Sequence, residues 1–188
     1  MLIKRSLVLC LVLSSLAITA SAQKFRFTDN RTSSVNHGYA PSDHIPAALL
    51  SAKTIFLSNG GAEGGLFPQP FSGDPNRGYQ EFYSMLKDSG QHQLVDDPSQ
   101  ADLVLLLQLN APNGPSSGNK QNGASDPLPT FRLIIYDRKS HYVLWALTET
   151  IEVALLQKTH DKNFDQALTN LAYDFEQVTT PLAAKPQS

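Results

Sequence analysis

Apolar residues are grouped unevenly along the chain, and the period of each group indicates its structure. Leu103 to Leu109 is apolar at almost every position, with Leu103, Leu105, Leu107 and Leu109 alternating with Val104, Leu106 and Gln108. A run this short and apolar on both sides predicts a central strand, buried between two layers. Lys53 to Ser58 (KTIFLS) is rich in β-formers and stops at Asn59-Gly60-Gly61, which predicts a first strand ending there. Phe131 to Tyr136 and Tyr142 to Thr148 also have strand composition, and the short link Asp137 to His141 suits an antiparallel hairpin. Leu94-Val95 is a short apolar element, and Asp97-Pro98 makes a turn into the central strand. Ile151 to Leu156 alternates with Glu152, which fits either a continuation of the last strand past a bend or a separate strand.

Two segments have the helical period instead. Tyr79, Phe82, Tyr83 and Leu86 share one face, with Asp74-Pro75 as cap and first-turn proline and Gly90 as terminator. Phe164, Leu168, Leu171, Phe175 and Val178 form a second stripe, which Asn163 and Gln166 open in the manner of a capping box. These elements predict an α/β fold: a two-layer sandwich with a mixed sheet of four or five strands and two main helices. Two helices cover about one side of such a sheet, yet the strands around Leu106 and Trp145 are apolar on both faces. The second face therefore needs the N-terminal arm or a partner against it.

At the N-terminus, Lys4 and Arg5 precede an apolar run from Leu7 to Ile18, and Ala20-Ser21-Ala22 closes it. This is the pattern of a secretory signal peptide over residues 1–22, with Ala20 and Ala22 as the small residues read by the peptidase. The run is too short for a permanent membrane anchor. The expected organisation is then a polar arm at 23–46, one domain at 47–178 and a tail at 179–188. Within the domain, residues 111–130 are dominated by Asn, Gly, Pro and Ser, a composition expected to leave the segment disordered.

Composition excludes several classes of function. Cys10 is the only cysteine and lies inside the leader, so the exported chain would have no disulfide, no thiolate chemistry and no cysteine-bound metal. Cys10 also follows Leu9, where a lipoprotein signal needs a small residue. The formal charge is −2 and the leader holds two positive charges, so the exported part would carry −4. With no basic cluster larger than Arg138-Lys139, nucleic acid is not an expected partner. No stable membrane insertion after signal cleavage is expected either.

Three motifs bear on chemistry. Gly114-Pro115-Ser116-Ser117-Gly118 matches the G-x-S-x-G of serine hydrolases, with Asp126, Asp137, His141 and His160 downstream. No helix-forming segment follows it to hold a strained nucleophile turn, so the match reads as a product of loop composition. Asn59, Gly60, Gly61, Gly64 and Gly65 form a candidate ligand loop between strand and helix, lacking the lysine of a phosphate loop. His37, His44, His92, His141 and His160 have no i, i+4 partner, so no metal or other cofactor is expected. Asp96-Asp97 reads as turn capping, Trp145 as core, and Asn30-Arg31-Thr32 as a glycosylation sequon relevant only to eukaryotic secretion.

The order KTIFLSN, RGYQEFYSMLKDSG, QLVDDPSQADLVLLLQL, FRLIIYDRKSHYVLWALTE and DKNFDQALTNLAYDFEQV resembles a group of uncharacterised secreted bacterial proteins. More remotely, the passage from helix through Asp-Pro-x-x-Ala-Asp into an apolar strand is similar to envelope modules, namely the curli-secretion lipoprotein and the N-terminal domain of the Tol-Pal propeller protein. The resemblance implies an exported, non-enzymatic binding or assembly role, with another envelope protein or a second copy as partner. The anchoring cysteine of the lipoprotein members is missing, and the resemblance carries over no functional residue.

Overall fold

The computed structural model describes residues 45–63, 65–111, 128–152 and 154–180. Residues 1–44, Gly64, residues 112–127 of the Asn/Gly/Pro/Ser segment, Val153 and the last eight residues lie outside them. The elements are α1 (Ala47–Ser51), β1 (Thr54–Ala62), α2 (Arg77–Ser89), β2 (Gln93–Leu94), β3 (Leu103–Asn110), β4 (Thr130–Asp137), β5 (Val143–Thr150) and α3 (Gln157–Thr179). The strands form one five-stranded mixed sheet in the order β2-β1-β3-β4-β5. β1 is parallel to β2 and β3, whereas β4 is antiparallel to β3 and β5. The fold is thus the expected α/β arrangement, with the apolar Leu103–Leu109 run as its central strand.

All three helices contribute to one core. Leu49 of α1, Phe82 and Leu86 of α2, and Phe164, Leu168, Leu171 and Phe175 of α3 pack with Ile55, Leu57, Leu103, Leu105, Leu107, Phe131, Leu133, Ile135 and Leu147. On each strand these residues alternate, so they occupy a single face of the sheet. Burying this face is the main stabilising term, at about 1.5 to 3 kcal/mol for each large apolar side chain.

Four boundaries differ from the sequence expectation. β1 continues to Ala62 through Asn59-Gly60-Gly61, with a bulge between Asn59 and Ala62. Pairing with β3 outweighs the local turn signal, and Gly61 takes the positive φ of 80° that the irregularity requires. α2 opens at Arg77 with Asn76 as its cap, because Asp74 and Pro75 are used in the preceding turn, where Asp74 Oδ1 accepts the Asn76 N–H at 2.7 Å. Ile151 to Leu156 belongs to no strand among the described residues, and α3 starts at Gln157, six residues before Asn163. The Asn163 side chain instead donates to the Glu152 carbonyl at 2.8 Å, fastening the helix to the segment that follows β5.

Other expectations hold in detail. Gly90 caps α2 in the left-handed region, at φ 61°. Asp97 accepts the Ser99 N–H at 2.8 Å and caps a single 3-10 turn, Pro98–Gln100, so its role is structural. The neighbouring Asp102 carboxylate accepts the Lys53 and Thr54 N–H groups at 2.9 and 3.0 Å, pinning the start of β1 to that of β3. These donors hold its carboxyl below the ordinary carboxylate range. Trp145 is half-buried and packs against the core.

Candidate binding surface

No described helix packs against the face of the sheet opposite the core. Register places Phe56, Val104, Leu106, Ile134, Tyr136 and Ala146 on it. Val104 lies beside Phe56 on one side and Tyr136 on the other, and Ile134 lies between Leu106 and Ala146. These six make a continuous apolar field across four strands, in which Ala146 is exposed, Phe56, Val104, Leu106 and Tyr136 are half-buried and Ile134 is 8% exposed. The next rungs change character, with Ser58, Gln108, Arg132, Thr148 and Thr150 in place of hydrocarbons. Arg132, paired with Gln108 and Thr148, is the one charged residue of β3, β4 and β5 with this orientation. An apolar field with a polar margin and an isolated guanidinium matches the composition of a protein contact surface.

Beside this face runs the free edge of β5. The Ile151 N–H donates to the Pro129 carbonyl at 2.7 Å, and the ladder pairs Leu133 with Leu147. The antiparallel alternation therefore turns the N–H and C=O groups of Ala146, Thr148 and Thr150 away from β4. Among the described residues no strand pairs with them.

The candidate ligand loop is divided by the structure. Asn59, Gly60 and Gly61 lie in β1, Gly65 occupies a turn at φ 63°, and Gly64 is outside the described residues. Asn59 Oδ1 accepts the Gly61 N–H at 2.9 Å, while its Nδ2 donates to Asn76 Oδ1 at 2.8 Å, joining the strand end to the α2 cap. The crevice between these groups and Tyr79, Leu107 and Phe131 has a volume of about 10 Å³, the space of about one water. A Cβ on Gly60 would meet Gln108 Cγ at 2.4 Å and the Leu107 carbonyl oxygen at 2.8 Å. Gly60→Ala is therefore expected to lower stability by about 1 to 3 kcal/mol through overpacking, read as a lower urea midpoint at unchanged slope.

Of the residues considered for hydrolysis, the two described histidines lie at opposite ends of β5. Ser116 and Asp126 lie outside the described residues. His141 sits in the exposed β4–β5 turn with a φ of 61°, and His160 is in the first turns of α3, at the other end of β5. His160 is buried, its Nδ1 accepts the Ala154 N–H at 3.3 Å, and its ring stands edge-on to Phe71. Asp137 accepts the Ser140 N–H and hydroxyl, closing the hairpin turn. His92 rests on Phe175, and burial lowers its pKa. His37 and His44 lie outside the described residues. Among the described residues no three His, Cys, Asp or Glu side chains form a metal-binding group.

Sequence reasoning missed a highly connected polar side chain of the helical layer. Arg77 donates from Nε to Glu81 at 2.8 Å, from Nη1 to Asp161 at 2.7 Å and to the Ser72 carbonyl at 3.1 Å, and from Nη2 to Asp165 at 2.5 Å. Its guanidinium lies 4.4 Å over the Phe164 ring. The Ser72 N–H also donates to Asp161 at 2.9 Å. Burial opposes ionisation of Asp161, but the Ser72 N–H and Arg77 outweigh it and hold the carboxyl below its ordinary range. One cation thus ties the segment before α2 to α2 and α3. Beyond it the helices leave an open groove of about 390 Å³, lined by Gln80, Glu81, Ser84, Met85, Asp88 and Asp165.

No described protein family and no curated protein matches the chain. Similar solved structures include a PelC dodecamer from Paraburkholderia phytofirmans, 14% identical over 68% of this chain and 87% of that one, with a TM-score of 0.41. Protein XCC0632 from Xanthomonas campestris, of the family DUF330, is 14% identical over 73% of this chain and 87% of that one, with a TM-score of 0.42. A neuraminyllactose-binding hemagglutinin homolog from Helicobacter pylori is 12% identical over 71% of this chain and 89% of that one, with a TM-score of 0.38. No helix among the described residues is long and apolar enough to cross a membrane.

Proposed function

We propose that this protein is an exported binding or assembly factor of the bacterial envelope, without catalytic chemistry of its own, whose working surface is the bare face of its sheet. The observation that carries the reading is the apolar field of Phe56, Val104, Leu106, Ile134, Tyr136 and Ala146, set opposite a face already filled by three helices. A strand that served only as scaffold would present polar residues there. The signal-peptide pattern of residues 1–22 supports export to the periplasm or the medium, and the resemblance to secreted bacterial proteins, with its remote likeness to the curli-secretion and Tol-Pal modules, supports an assembly role. The partner is a protein that brings an apolar surface of its own, with a carboxylate to meet Arg132.

The test is photo-crosslinking in intact cells from a probe at position 106, with a probe at the exposed Lys162 on the helical layer as control. A discrete adduct with a second polypeptide is expected at position 106 and not at position 162. An adduct confined to the same chain, with no increase in mass, would assign the face to the protein's own arm and overturn the proposal.

A further inference from the structure

The connection from β5 to α3 holds two adjacent leucines out in water. Among the described residues the exposed large apolar side chains are Tyr142 (75% exposed), Val143 (55%), Leu155 (102%) and Leu156 (68%). Leu155 is as open as in an extended chain, so it lines no groove and stands as a protrusion. The connection is nevertheless fastened on both sides of the pair. The Ala154 N–H donates to Nδ1 of the buried His160 at 3.3 Å, Asn163 Nδ2 donates to the Glu152 carbonyl at 2.8 Å, and Gln157 Nε2 donates to the Pro68 carbonyl at 3.1 Å. These bonds fix the backbone that carries Leu155 and Leu156 while both side chains face solvent. Apolar surface displayed in this way marks a contact with something apolar.

The charge next to the pair is positive on balance. Lys158 and Lys162 are exposed, four positions apart on one face of α3, and neither forms an ion pair among the described residues. No acid stands in the first turn of α3, and the Asp161 carboxylate is engaged by Arg77 and the Ser72 N–H. Among the described residues from 152 to 162, Glu152 is then the one carboxylate without a cation, against two free ammonium groups.

This composition decides between two kinds of occupant. The side chains that dominate protein contacts are Trp, Tyr and Arg, while Leu is under-represented among them and Lys is depleted. Leucine with lysine is instead the pairing of segments that rest in a bilayer interface, where the ammonium reaches anionic headgroups as the hydrocarbon enters the acyl boundary. Fluid lipid also accepts a protrusion without a pocket shaped to receive it. We infer that Leu155 and Leu156 are a membrane-contact tip, which enters the surface of a bilayer containing anionic lipid with Lys158 and Lys162 at the headgroups. Two leucines give a weak and reversible contact, not an anchor. The contact goes beyond the proposed function and is independent of it: the tip sets the protein at a bilayer surface, whatever the sheet face binds.

The experiment uses the protein purified after export, on a Cys10→Ser background, with an environment-sensitive nitrobenzoxadiazole label on Leu155→Cys. The same label on Val143→Cys, an exposed apolar position at the other end of β5, is the control. With vesicles of phosphatidylethanolamine and phosphatidylglycerol, the label at position 155 is expected to shift to the blue and brighten several-fold, less so at high salt, while the label at position 143 stays unchanged. Vesicles of phosphatidylcholine alone should give little of the effect. Cosedimentation of unlabelled protein with the anionic vesicles should fall by on the order of tenfold when Leu155→Ser is combined with Leu156→Ser. Neither side chain is in the core, so circular dichroism of that variant should match the wild type. No change at position 155, an equal change at position 143, an equal response to phosphatidylcholine, or sedimentation unaltered by the double serine variant overturns the inference. The position 106 crosslink to a second polypeptide persists in the double serine variant if the proposed function holds, so the two claims fail separately.

Discussion

Leu105→Asp is expected to abolish folding, whereas Leu106→Asp, one residue further along β3, should leave the domain folded with its urea midpoint shifted by about 1 kcal/mol or less. Leu105 is wholly buried under the helices, between Leu57 on β1 and Ile135 on β4. Its replacement removes about 1.5 to 3 kcal/mol of apolar burial and places a carboxyl where only hydrocarbon surrounds it, a further cost of several kcal/mol. The total approaches the entire stability of a domain, about 5 to 15 kcal/mol. Leu106 points the opposite way, onto the face that no described helix covers, where it is partly exposed and a carboxylate can reach water. Circular dichroism and urea titration of the two proteins check the contrast. Two unfolded proteins would mean that the second face is as buried as the first.

Arg77→Met has the next largest expected effect, a loss of about 3 kcal/mol and a fall in Tm on the order of 10 °C. The substitution keeps much of the aliphatic stem over Phe164 but leaves Asp161, Asp165 and Glu81 close together with no cation among them. Arg77→Lys should recover only part of this, since a single ammonium cannot reproduce donors aimed in three directions. The cluster also sets an acid limit. The Asp161 carboxyl titrates lower in the folded chain than its unfolded value near 3.9. Its contribution is therefore complete above about pH 4 and is lost as pH falls through the folded value. Thermal melts from pH 6 to pH 2.5 should show the Tm gap between wild type and Arg77→Met narrowing at the acid end, and a constant gap would refute this role for Asp161.

The features legible in the sequence are those in which a local pattern and the tertiary structure agree. The leucines of β3 gave its central place, the aromatic stripe of α2 and the Phe164 to Val178 stripe gave the faces that enter the core, and Asp97 and Gly90 acted as their local chemistry requires. Apolarity on both sides of β3 also indicated that helices alone would leave one face bare. Errors arose where a distant partner outweighs the local signal. Asn59-Gly60-Gly61 has the composition of a turn, yet pairing with Leu107 and Leu109 draws β1 onward past it. Asn163-x-x-Gln166 imitates a capping box inside a helix already under way. The Arg77 cluster was invisible, because Asp161 and Asp165 lie 84 and 88 residues away and only the packing of α2 beside α3 brings them together. The β5 edge was equally hidden, since strand order cannot be read from the strands' own composition.

The central claim, that the sheet face opposite the helices is bare in the free protein, is tested most directly by thiol labelling. Cys10 is the one cysteine of the sequence, so on a Cys10→Ser background Leu106→Cys, Leu105→Cys and the exposed Ser84→Cys each give a single reporter. A small maleimide should modify position 106 at nearly the rate of position 84 and position 105 only on unfolding. Modification at position 106 as slow as at position 105 would contradict the account.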